Sequence, residues 1–116
     1  MPAIQSKLDT RSESYKKNRE DMLEMLDYVE ELLAEVTAGG GEEAMKRLRS
    51  RDKLPIRERV ALVLDRDAPF MEISPLAGWN SYQPIGGGFI MGIGVISGVE
   101  CLISGNDPSV MAGAGT

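Results

Sequence analysis

Apolar residues recur at Met22, Met25, Leu26, Val29, Leu32, Leu33 and Val36, in steps of three and four. That spacing places them on one face of a helix. Thr10-Arg11-Ser12-Glu13 reads as a capping box, with a hydroxyl at the cap and a carboxylate three residues on, and Gly39 suits the far end. The pattern predicts a helix over residues 10–38, about 42 Å long at about 1.5 Å per residue. A helix of that length exceeds what a small domain can cover. It fits either a bridge across a larger body or second subunit, or a solvated helix with one buried stripe.

The pattern then shortens. Gly39-Gly40-Gly41 breaks the chain, and Glu42-Glu43 favours the first turn of a second helix, where carboxylates complement the helix dipole. That helix is expected to end near Arg51-Asp52. Pro55 suits the first turn of a third, whose apolar face would carry Ile56, Val60, Val63 and Leu64. Short helices are thus expected over 42–65 and strands over 70–107. Phe70 to Ile73 alternates as a short strand between Pro69 and Pro75, and Leu76 to Pro84 is a loop holding Trp79 and Tyr82. These loop aromatics fit ligand contacts or, more commonly, anchors that pack the loop on the sheet.

Two apolar runs follow, Phe89–Ile96 and Val99–Ile103, separated by Ser97-Gly98. They predict an antiparallel hairpin in which Ile96 faces Val99, Gly94 faces Cys101 and Gly92 faces Ile103. One face then carries Ile90, Ile96, Val99, Cys101 and Ile103, and the other Phe89, Met91, Ile93, Val95 and Leu102. A hairpin apolar on both faces needs cover on both. Gly92 and Gly94 leave room for another backbone or a ligand to come close. Asn106-Asp107-Pro108 ends the strand, and the small residues from Val110 to Thr116 read as flexible and uncapped.

Composition narrows the function. The 116 residues suit one α/β domain, with 42% hydrophobic and 27% charged residues. A net charge of −5 argues against a general nucleic-acid binder. No run approaches the roughly 18 apolar residues of a membrane span, and Met1 to Ser14 has neither the apolar core of a secretory signal nor the arginine content of a transit peptide. With no histidine and one cysteine, Cys101, the residues supply neither a zinc site nor a Ser-His-Asp triad. Cys101 reads as a small buried hydrophobe. Gly39-Gly40-Gly41 lacks the Gly-Lys-Ser/Thr ending of a phosphate loop, and Glu42-Glu43 would repel a phosphate there.

The charge is unevenly placed. Lys46, Arg47, Arg49, Arg51, Lys53, Arg57 and Arg59 are seven of the 13 basic residues, offset locally only by Asp52 and Glu58. Such a segment fits a patch for anionic phosphates. It fits better, on general grounds, a solvated face with ion pairs to the acidic first helix.

The Lys53-Leu54 and Arg57-Glu58-Arg59 pattern, the Gly92-x-Gly94 strand and Asn106-Asp107, in this order and spacing, carry a family likeness. From about Tyr15 onward the chain resembles the N-terminal part of the carboxyltransferase (beta) subunit of biotin-dependent acyl-CoA carboxylases. Gly86-Gly87-Gly88 and Val99-Glu100-Cys101 look more like the methylcrotonoyl-CoA branch than the propionyl-CoA branch. The resemblance implies part of a longer subunit with a crotonase-like fold of repeated β-β-α units, here a long helix, short helices and an antiparallel hairpin. It implies transfer of CO2 from carboxybiotin to an acyl-CoA, in fatty acid or branched amino acid metabolism. Biotin would be carried by a biotin carboxylase or biotin carrier partner, other carboxyltransferase subunits would complete a homo-oligomer, and no metal, nucleic acid or membrane would take part. The compartment would be the cytoplasm, or the mitochondrial matrix in a eukaryote. On this reading Arg51, Lys53 and Arg57 are candidates for the phosphates of coenzyme A, and Gly113, Ala114 and Gly115 for the border of the active site. No catalytic side chain is expected here, because the amides that stabilise the enolate come from later segments. The rival reading is a non-catalytic truncated paralogue, or assembly module, that docks on full-length subunits through its long helix.

Overall fold

The computed structural model describes residues 3–114, and the chain divides into two compact units at Leu32–Leu33. Helix α1, Glu13–Ala38, runs through that boundary. Its cap is Ser12 rather than Thr10: the Ser12 hydroxyl accepts the Tyr15 amide at 3.2 Å and donates to the Asp9 carbonyl at 2.8 Å. Thr10 falls in the turn before the helix, too early to reach a third-residue amide, and Glu13 pairs with Lys16 instead of closing a box. The apolar stripe is present, yet no residue of α1 is buried, and Met22, Met25, Leu26 and Val29 stay exposed.

In the second unit, Gly39 at φ 56° and Gly41 at φ 83° turn the chain out of α1. Helix α2, Glu42–Arg49, starts there, with Lys46 bridging back to Glu42 and Glu43 at 2.8 and 3.4 Å. Its regular turns end at Arg49 and the chain reverses at Arg51-Asp52, where the end is expected. The Leu48 carbonyl accepts the Lys53 amide at 3.1 Å, the Arg49 carbonyl accepts the Asp52 amide at 3.0 Å, and Asp52 sits at φ 55°. This is a Schellman stop with Asp52 in the left-handed position. Helix α3, Ile56–Val63, follows Pro55, whose φ of −52° presets the helical entry. Ile56 and Val60 are buried, but Val63 faces out and Leu64 leaves the helix in an extended conformation at ψ 148° before packing on the core.

The sheet has order β1-β2-β3, all antiparallel, formed by β1 (Met71–Glu72), β2 (Phe89–Ile96) and β3 (Val99–Asn106). The expected pairing holds: Ile96 opposes Val99, Gly94 opposes Cys101 and Gly92 opposes Ile103, with β3 continuing past Ile103 to Asn106. Ser97 at φ 52° and Gly98 at φ 77° form the left-handed turn that matches strand twist. Asp65 supports it. Its carboxylate accepts the Ser97 and Gly98 amides at 2.6 and 2.7 Å, while its own amide bonds the Val95 carbonyl.

The core lies on one face of this sheet, where Ile56, Val60 and Ile90 are buried with Leu64, Phe70 and Ile103 packed against them. The space at Gly92 and Gly94 is not open to a ligand. A side-chain carbon at Gly92 would strike the Phe70 ring, and one at Gly94 the Leu64 side chain. The glycines admit the chain's own core. The opposite face is only partly covered: Met91, Ile93 and Val95 are half-buried, while Leu102 is 66% and Met71 60% exposed. Trp79 and Tyr82 are also exposed, so neither anchors the loop onto the sheet here.

Candidate anion-binding site

Folding sorts six of the seven cations into two groups and leaves Arg59 outside both. Lys46 is held by Glu42 and Glu43, Arg49 by Glu58, and Arg57 by Glu72. The Arg57 guanidinium donates both terminal nitrogens to the Glu72 carboxylate, at 2.7 and 2.8 Å, in a partly buried fork. Ile56 and Val60 do supply the apolar face of α3, but Arg57 is not thereby released; β1 brings Glu72 into its reach. Arg57 is therefore a structural clasp between α3 and the sheet.

Arg47, Arg51 and Lys53 have no ion-pair partner among the described residues, and they line one cavity of about 180 Å³ with Pro108, Ser109 and Ala112. The cavity arises from the stop of α2. Arg47 and Arg51 are one helical turn apart, and the reversal at Asp52 returns Lys53 to the same side. Arg51 and Lys53 are thus brought together, Arg57 is not, and Arg47 is a member that sequence reasoning passed over. The spacing of four between Arg47 and Arg51 was the available signal.

The other wall belongs to the segment after β3, which is not loose. Asp107 accepts the Ser109 amide and hydroxyl at 2.8 and 2.6 Å, the Ser109 hydroxyl accepts the Gly40 amide at 3.0 Å, and Asn106 donates to the Gly113 carbonyl at 2.7 Å. A 3-10 turn, Met111–Gly113, follows, with Met111 and Ala112 at φ 45° and 55°. Gly113 and Ala114 lie beside the cavity without lining it, Ala112 being the lining residue, and Gly115 falls outside the described residues. A second cavity, about 480 Å³ and mainly apolar, opens between Met45, Pro55 and Ile56 with Arg49, Glu58 and Arg57 among its charged members. Among the described residues no group of three His, Cys, Asp or Glu is placed to hold a metal, and no helix is long and apolar enough to cross a membrane.

The α/β unit, with helices on one face of an antiparallel sheet, has the fold of part of a crotonase-like carboxyltransferase domain, to which the solved structures join it. The chain superposes on the beta subunit of Pseudomonas aeruginosa geranyl-CoA carboxylase with a TM-score of 0.89 and 43% identity, covering 98% of this chain and 22% of that one. It is 42% identical over 110 residues to a probable biotin-dependent acyl-coenzyme A carboxylase beta2 subunit of Mycobacterium tuberculosis, covering 95% of this chain and 21% of the relative. It is 44% identical over 108 residues to the mitochondrial methylcrotonoyl-CoA carboxylase beta chain of Arabidopsis thaliana, covering 91% and 18%. No family model matches the chain. Over nearly its whole length the chain is similar to beta subunits of biotin-dependent acyl-CoA carboxylases, methylcrotonoyl-CoA carboxylase chains among them, and it spans about a fifth of the length of the curated relatives it matches.

Proposed function

We propose that this chain forms part of a carboxyltransferase that moves CO2 from carboxybiotin to an acyl-CoA, and that its share of the work is to hold the coenzyme A end of the substrate. The observation that carries this reading is the similarity to acyl-CoA carboxylase beta subunits over 95% of the chain, reinforced by a structural match of 0.89. Arg51 and Lys53 are the phosphate ligands in this reading, and Arg57 keeps its place in the fold. Gly113, Ala114 and Gly115 would border the active site. Biotin would arrive on a partner subunit. Further carboxyltransferase subunits would complete the assembly, in the cytoplasm or the mitochondrial matrix.

The test is a chimera in which this chain replaces the matching fifth of the geranyl-CoA carboxylase beta subunit, paired with that enzyme's biotin-carrying partner. Biotin-dependent carboxylation of the acyl-CoA at a rate near the parent's is the expected outcome. A chimera that assembles and stays inactive would refute the reading. It would instead favour an assembly module docking through α1, a role consistent with the exposed stripe of Met22, Met25, Leu26 and Val29.

A further inference from the structure

Within the first compact unit, Tyr15, Asn18, Met22, Met25, Val29 and Leu32 follow one another along α1 in alternating steps of three and four. This is a heptad seam with one polar member, Asn18, and it is the pattern by which two helices interlock. The seam is open to solvent: Met22 is 53% and Met25 56% exposed, with Leu26 and Val29 exposed beside them. The charges that flank it are segregated. Lys16, Lys17 and Arg19 lie in the first two turns, whereas the stretch from Glu20 to Glu35 carries seven carboxylates and no cation. That order opposes the helix dipole, which favours acids in the first turn and bases in the last. Lys16 and Lys17 make only exposed pairs, with Glu13 and Asp21. Among the described residues Arg19, Glu24, Asp27, Glu30 and Glu31 have no ion-pair partner.

An order of charge that disfavours the lone helix becomes favourable against its own reverse. We infer that α1 pairs with α1 of a second copy of this chain, in antiparallel orientation, as a short coiled coil. The alignment that stacks Met22 on Met25, Asn18 on Val29 and Tyr15 on Leu32 of the second copy sets Lys16 and Lys17 beside its Glu31 and Glu30. The two-fold axis repeats the match at the other end. A parallel pair would instead set Glu24, Asp27, Glu30 and Glu31 each against itself. A wholly basic partner would satisfy these carboxylates but would meet Lys16, Lys17 and Arg19 with like charge. The inference goes beyond the acyl-CoA reading and does not depend on it, because it uses the seam and charges of α1 alone.

Disulfide cross-linking of the 116-residue chain tests it, because it reads geometry and so tolerates association through other surfaces. Asn18→Cys and Val29→Cys are made separately on a Cys101→Ser background and treated with a mild oxidant. In the antiparallel pair, residue 18 of one copy meets residue 29 of the other. Two copies of either position lie about 16 Å apart along the axis, too far for a disulfide. Each variant alone should stay uncross-linked, and an equal mixture should give the mixed dimer, distinguished by intact mass, at about ten times the yield of either symmetric product. Adding Lys16→Glu, Lys17→Glu and Arg19→Glu to both chains should cut that yield about tenfold at low salt, and adding Glu30→Lys and Glu31→Lys as well should restore it. Symmetric products from either variant alone would overturn the antiparallel orientation. Absence of the mixed dimer, from chains whose circular dichroism matches the parent's, would overturn the pairing and leave the seam to a basic partner or to a later segment of a longer subunit. A yield unmoved by the charge reversals would overturn the complementarity on which the choice of partner rests. None of these outcomes bears on the acyl-CoA reading, which the chimera tests.

Discussion

Arg57 shows how a residue's role depends on contacts its own segment does not reveal. Its local spacing made it look free, but Glu72 is fifteen residues away and reaches it only because β1 lies alongside β2. With side chains 31% and 22% exposed, the pair is sheltered enough that removing one partner leaves a poorly solvated charge. Arg57→Ala is expected to destabilise the fold by about 1–3 kcal/mol, read as a lower thermal midpoint, with coenzyme A affinity unchanged in the folded fraction. Asp65 was legible only as turn material; its two amide contacts at Ser97 and Gly98 require the hairpin to be in place. Asp65→Ala should cost about 1–3 kcal/mol, because two turn amides lose their acceptor. Gly92 and Gly94 were readable as points of close approach, though what approaches, Phe70 and Leu64, comes from the preceding segment.

At the scale of elements the sequence was more informative, since periodicity and turn chemistry are local. The hairpin register followed from Ser97-Gly98 and alternation alone. The start of α1 did not, because Thr10 and Ser12 both offer hydroxyls before the apolar stripe and only backbone geometry decides between them. Ser12→Ala should therefore cost about 0.5–2 kcal/mol of stability while Thr10→Ala costs close to nothing, a difference that paired thermal melts would measure. The way α2 ends has the same kind of cause. Asp52 can occupy the left-handed position that closes a Schellman stop, as Asn and Asp do more readily than other side chains. Asp52→Gly should relieve that conformation and raise stability by up to about 1 kcal/mol without loosening coenzyme A binding, because the reversal that places Lys53 is preserved. A fall in stability would show that the Asp52 side chain contributes something the backbone account omits.

Across the whole chain, apolar surface is what remains to be covered. The outer sheet face with Met71 and Leu102, and the stripe of α1, are exposed together with the long free edge of β3. Such surfaces favour association. The isolated chain should scatter light as a species heavier than its 12.6 kDa, and a sharply melting monomer would count against this view. The two-sided apolar hairpin was visible in the sequence; which side the chain covers for itself was not, since that depends on α3 and Phe70 meeting Ile90. The cation cavity was half legible for a similar reason. Charge clustering is a sequence property, whereas the sorting of paired from unpaired cations is a property of the fold. The most direct measurement is the acyl-CoA affinity of the geranyl-CoA carboxylase chimera carrying Arg51→Ala and Lys53→Ala. KM for the acyl-CoA should rise about tenfold or more with kcat little changed, since phosphates remote from the reacting carbon are bound alike in ground and transition states. An unchanged KM in a well-assembled double variant would contradict it.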